Sequence, residues 1–164
     1  MSKVWYGNLT NRLEEGKNYT GREIRVDDDI TMYLWSDRHC YYVTEVVDQK
    51  RIKVRSYYTC ADQDKAGGMG HQDWMYFKTW DDWNRYLSNY FSEHDPYAHR
   101  DEPEPETWVY RYNKWMREVT FTEENYCTDR EKKSLEKKGF YNRYCDLSGR
   151  VSFGVRDYHY DWEF

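Results

Sequence analysis

Apolar and polar positions alternate most clearly from residue 30 onward. Ile30, Met32 and Leu34 interleave with Thr31, Tyr33 and Trp35, the period-2 pattern of a β-strand. Cys40 to Val47 is a second run rich in Tyr, Val and Thr, and Asp48-Gln49-Lys50 reads as a short turn. Arg51 to Tyr58 follows as a third strand, with Ile52 and Val54 on one face and Arg51, Lys53 and Arg55 on the other. Three short strands joined by tight turns make a meander, the opening of a small barrel or a strongly bent sheet.

Beyond the meander, the stretch from Cys60 to Gln72 reads as loop, with Gly67-Gly68-Met69-Gly70 as its flexible centre. Trp74 to Trp80 has strand character. Trp83, Tyr86, Leu87, Tyr90 and Phe91 then recur at i, i+3, i+4, i+7 and i+8, a helical stripe with Asp81 and Asp82 suited to the helix start. Residues 93–106 hold all the prolines and a cluster of acids, and predict an exposed acidic excursion. Thr107 to Tyr112 and Lys114 to Phe121 form a candidate hairpin. Thr128-Asp129-Arg130-Glu131 fits a capping box, and Gly139 after Lys137-Lys138 fits a helix stop. The chain closes with Phe140 to Cys145, a turn at Leu147-Ser148-Gly149, and Val151 to Val155. The aromatic tail, Arg156 to Phe164, would be costly to expose and is expected to dock on the sheet. These elements predict one domain over residues 1–164, an α+β, β-rich fold: a small bent antiparallel sheet or an SH3-like barrel with one or two short helices.

Composition changes the picture of the core. Aliphatic residues are scarce, whereas 18 Tyr and 8 Trp raise the aromatic share to 20%. Scarce aliphatics can signal disorder, but a net charge of only −5 does not fit that class. Each buried ring removes on the order of 150–250 Å² from water, so Tyr and Trp can build the interior instead. The same side chains on a surface, with Arg, dominate binding hot spots. No run approaches the ~18 apolar residues of a membrane span, and Met1-Ser2-Lys3-Val4-Trp5 lacks a signal-peptide core. A cytoplasmic protein with reduced cysteines, and no membrane partner, is expected.

In Ser36-Asp37-Arg38-His39, Asp37 and His39 could act as an acid–base pair with Arg38 holding an anion. A turn in which Ser36 and Asp37 bond nearby backbone explains the same residues without a third partner, and is preferred. The four Cys and five His lack the close pairs that nucleate a zinc site, so no metal or cofactor is expected. The glycines before His71 lack the Gly-Lys-Ser/Thr sequel of a phosphate loop, which excludes that class of nucleotide-triphosphatase. Lys50, Arg51, Lys53 and Arg55, flanked by Tyr57 and Tyr58, have the basic-plus-aromatic character of a single-stranded nucleic-acid or nucleotide contact, set against a negative total charge.

The stretch ITMYLWSDRHCYYVTEV, the following DQKRIKVR and GGMGHQDW, and the closing RVSFGVRDYHYDWEF resemble uncharacterised small proteins of phages and prophages of Gram-positive bacteria. The similarity covers residues 30–77 and 140–164, and residues 81–139 depart from it. Its strongest points are Trp35-Ser36-Asp37-Arg38-His39 and Phe153-Gly154-Val155-Arg156-Asp157. The resemblance implies a mobile-element accessory protein inside a bacterial host and transfers no catalytic residue. The expectation is a non-catalytic protein that binds and inhibits a host factor, with an anti-defence role such as blocking a CRISPR nuclease its most concrete form. The alternative is a nucleotide or single-stranded nucleic-acid binder, for example a sponge for a defence signalling nucleotide. A small metal-dependent or His/Asp enzyme is the third class. The candidate binding residues are Trp35, Asp37, Arg38, His39, Arg51, Lys53, Arg55, Tyr57, His71 and Arg156.

Overall fold

The computed structural model describes residues 23–65, 73–91, 102, 104–125, 127–154, 156 and 158. The glycine loop with His71, most of the excursion, and most of the tail lie outside these residues. The meander is present as β1 (Asp29–Tyr33), β2 (Arg38–Asp48) and β3 (Arg51–Ser56). Ile30 faces Tyr41 and Met32 faces His39 across β1 and β2, and Leu34 N–H bonds the Asp37 carbonyl at 2.9 Å to close the connecting turn. Val43 and Val46 both reach the core although they are three residues apart. Bulges in β2, between Val43 and Glu45 and between Val46 and Asp48, reset the alternation and add twist.

The third strand is shorter than its pattern suggests. At Tyr57, whose N–H bonds the Cys40 carbonyl at 3.0 Å, the chain leaves the sheet. Tyr58–Ala61 becomes β4, where the third strand was expected to end at Tyr58 and a loop to begin at Cys60, and pairs with β5 (Trp74–Phe77) as a separate two-stranded ribbon. Helix α1 (Trp80–Ser88) begins where the strand pattern was read to continue, because Thr79 caps it: the Thr79 hydroxyl accepts the Asp82 N–H. Its Trp83 indole donates to the Thr59 carbonyl at 3.1 Å, and Tyr86 stacks on Phe77 with ring centroids 5.3 Å apart, which packs the helix on the ribbon. Tyr90 and Phe91, the last members of the stripe, fall beyond the C-cap at Asn89 and are exposed.

Of the excursion, Glu102 is exposed and pairs with Arg55 at 3.2 Å, whereas Glu106 opens β6 (Glu106–Arg111). The strand β6 turns through Tyr112 and Asn113 into β7 (Lys114–Phe121). Both turn residues have positive φ, 52° and 60°, the geometry of a two-residue type I′ hairpin. Helix α2 (Asp129–Lys138) carries the complete Thr128/Glu131 capping box and ends at Gly139, φ 79°. Strands β8 (Tyr141–Asp146) and β9 (Arg150–Phe153) complete the fold.

The seven-stranded antiparallel sheet runs β8-β7-β6-β3-β2-β1-β9. Its outermost strands β8 and β9 are joined by only Leu147-Ser148-Gly149. Such a link reaches about 14 Å, whereas six intervals of a flat sheet span roughly 29 Å. The sheet must therefore roll. Trp115 of β7 and Phe153 of β9 prove the point inside, with ring centroids 5.2 Å apart although five strand intervals separate them in the sheet order. The roll stays open: among the described residues β8 and β9 do not pair, so the fold is a curled sheet and not a closed barrel.

Ile30, Met32, Val43, Ile52, Val54, Trp108, Trp115, Val151 and Phe153 fill the interior, joined by Ile24. On the opposite face, Cys40, Tyr42 and Tyr57 form a second cluster, covered by Tyr76 and Tyr158. Ile, Val and Met side chains with Trp108, Trp115 and Phe153 make the interior, and tyrosines dominate the opposite layer, so the rings supplement the aliphatics there instead of replacing them. Among the described residues no disulfide forms, and no helix is long and apolar enough to cross a membrane.

Candidate binding face

Trp35 occupies the tip of the turn between β1 and β2 and is 99% exposed. The hydrogen bond from Leu34 to Asp37 fixes the backbone on either side of it, so the indole is presented from an ordered turn. Ser36-Asp37-Arg38-His39 is this turn together with the first two residues of β2. Asp37 supplies its main-chain carbonyl to turn closure, and the His39 ring stacks on Tyr158, 5.8 Å between centroids and 10° between planes.

From His39 a series of rings leads across to the ribbon. Tyr158 meets Trp74 edge-on at 4.5 Å, and its main-chain N–H donates to the Tyr76 hydroxyl at 2.8 Å. The Arg156 guanidinium lies over Tyr76 at 4.4 Å and over Tyr57 at 5.5 Å. Tyr57 in turn donates its hydroxyl to the Asp29 carboxylate and packs on Tyr42 at 4.9 Å. Burial pushes the Tyr57 phenol far above its ordinary range, and the Asp29 carboxylate adds to the shift. Beside them Lys78 lies over the Tyr42 ring at 4.9 Å and pairs with Asp27 at 2.7 Å. The described part of the tail therefore docks where the sequence expects it to, on aromatic side chains of the ribbon and the main sheet.

The structure brings together His39, Tyr57 and Arg156 of the expected binding residues, with Trp35 on the same hairpin as His39. It separates the basic strand from them. Arg51 pairs with Glu118, Lys53 with Glu45 at 2.6 Å, and Arg55 with Glu102 at 3.2 Å. Each cation of β3 thus has its own carboxylate, which weakens the case for a phosphate-binding strip there. His71 lies outside the described residues. Trp74, Tyr76 and Tyr158 were missing from the expected set. The alternation in Trp74-Met75-Tyr76-Phe77 places Trp74 and Tyr76 on one face, but nothing local says that the tail covers it.

Burial pushes the Cys60 thiol up to about 11, with Asp62 adding to it, so the sulfur stays protonated at neutral pH. Among the described residues no group of three or more His, Cys, Asp or Glu is arranged to hold a metal ion. What the arrangement offers is a surface of packed rings and cations, with a fully exposed indole on the same hairpin as His39. No protein-family model, curated protein or solved structure matches the chain.

Proposed function

We propose that the protein is a non-catalytic binding protein that engages another protein through the Trp35 turn and the adjoining rings of His39 and Tyr158. In the setting the resemblance implies, the partner is a bacterial host factor, and inhibition of a defence nuclease is the most concrete form of the activity. The observation that carries this reading is the exposure of Trp35 from a hydrogen-bonded turn. Moving an indole of 150–250 Å² out of water yields roughly 4–6 kcal/mol of gross transfer free energy at ~25 cal/mol/Å². Association costs remove part of that, yet one such anchor is enough to form a hot spot.

The test is affinity capture from a Gram-positive bacterial lysate with the unaltered protein and with Trp35→Ala. A stoichiometric partner should be retained by the first and lost by the second. The two proteins should melt within a degree or two of each other, because a fully exposed side chain contributes within about 0.5 kcal/mol to stability. Capture of the same partner at equal yield by both proteins, or of none by the unaltered one, would reject the proposal.

A further inference from the structure

The tip of the β6–β7 hairpin holds a second arrangement, on the face of the sheet that carries Arg51, Val109 and Met116. Arg111 ends β6, and its guanidinium lies 4.1 Å from the centre of the Tyr144 ring on β8 and 5.5 Å from that of Tyr112 in the turn. Arg51 is held beside it by Glu118 and also bonds Tyr144. Two cations close to Arg111 on this face are neutralised, Arg51 by Glu118 and Lys114 by Asp146. Arg111 differs, because among the described residues no carboxylate forms an ion pair with it. A guanidinium resting on aromatic rings is oriented through its flat faces, and its N–H edge is left to bind a two-oxygen anion.

Tyr112 supplies the other half. It is 74% exposed, and its backbone is left-handed at φ 52°. The position belongs to Asn, Asp or Gly on conformational grounds. One side of the ring is turned to Arg111 and the rest is open to solvent.

We propose that this hairpin recognises a nucleoside phosphate, with the phosphate on the edge of Arg111 and the base stacked on the exposed face of Tyr112. A carboxylate from a protein would use the guanidinium and leave the tyrosine idle, whereas a nucleotide uses both groups in one small ligand. A long phosphate backbone is disfavoured, since Arg51 and Lys114 are already paired and the chain carries a net charge of −5. The ligand is therefore a single nucleotide unit, free or at the end of a strand. This goes beyond the Trp35 reading and uses none of its residues.

The test titrates the full chain with each of AMP, GMP, CMP and UMP, and separately with inorganic phosphate, a short deoxythymidine oligonucleotide and a poly-glutamate peptide. Binding is read by the NMR signal of the Arg111 side-chain N–H and by calorimetry. A monophosphate should shift the Arg111 signal and bind more tightly than phosphate alone. Arg111→Ala should weaken that binding by about tenfold or more, as expected for lost bonds to a charged group. Tyr112→Asn, which suits the turn, should weaken it about fivefold or more through lost stacking while leaving the melting temperature the same or higher. Free nucleotide is the ligand if the oligonucleotide binds no better than a monophosphate. A strand end is the ligand if it binds better with only a shallow salt dependence. Absence of any monophosphate effect at millimolar concentration, or an effect indifferent to both substitutions, would overturn the proposal. So would binding of the acidic peptide alone, or oligonucleotide binding with the steep salt dependence of a many-phosphate contact.

Discussion

Trp35 and Trp108 are the same side chain at 99% and 0% exposure, and the difference lies in what each indole can reach. Trp108 alternates inward from β6, packs on Tyr41 at 5.0 Å, and gives its N–H to the Glu106 carboxylate at 2.9 Å. Burial, with Glu106 next in effect, lifts the Tyr41 phenol to about 12, so this interior stays neutral across ordinary pH. Trp35 falls on the turn, where alternation has stopped. Glu131 shows the same dependence on neighbours for a charged group. Hydrogen bonds from the Arg143 guanidinium, then from the Thr128 main-chain N–H, bring its carboxyl from its ordinary 4.5 down to about 2. A folded-state value below the unfolded one stabilises the fold at pH above about 4.5, and that contribution is lost as pH falls toward 2. Denaturant midpoints should therefore decline across that window in the unaltered protein and decline less in Glu131→Gln. Parallel declines would show that the Glu131–Arg143 pair does not report on folding.

Among the elements, two glycines with different reasons for being glycine give a matched pair of predictions. Gly149 ends the link between β8 and β9, where a Cβ would lie 1.9 Å from the Tyr33 carbonyl oxygen. Backbone cannot yield cheaply, so Gly149→Ala should cost about 3 kcal/mol or more. Gly139 has open space around it and a φ of 79°, so Gly139→Ala should cost only about 1 kcal/mol, the conformational term alone. Equal losses in equilibrium unfolding would refute the close approach of the link to β1. Local signals of this kind are what the sequence carries well. Alternation in β1 and β3, the Thr128/Glu131 box, the Gly139 stop and the pairing of Thr107–Tyr112 with Lys114–Phe121 all depend on residues close to each other in the chain. The ribbon of β4 and β5 was missed because its partner strands are separated by the glycine loop, and Tyr58-Thr59-Cys60-Ala61 is too short for a period to emerge. Helix α1 was placed late because the aromatic stripe outweighed the cap at Thr79. At the candidate site Trp35, His39 and Arg156 were legible as aromatic or charged residues in a turn and a tail. Their union with Trp74 and Tyr76 was not, since it depends on where the tail comes down.

For the molecule as a whole, the rolled sheet decides which rings are spent on the core and which are left for contact. Rolling brings the inward rings of β7 and β9 together, with Trp115 on Phe153 at 5.2 Å, while Tyr110 meets Trp115 at 5.5 Å as its register partner on β6. It also puts the link after β8 against the end of β1, directly behind the turn that presents Trp35. The aromatic excess thus serves two purposes in one chain: Trp108, Trp115 and Phe153 complete a core of Ile, Val and Met, and other rings are held outward on its turns. The contact between Trp115 and Phe153 is the most direct witness of the roll. Nuclear Overhauser effects between their ring protons should be strong in the unaltered protein, and Phe153→Ala should lower stability by about 3–5 kcal/mol. Ring protons that show no such effects, while the strand-to-strand contacts of β1 with β2 and of β6 with β7 persist, would mean a flatter sheet and contradict the account.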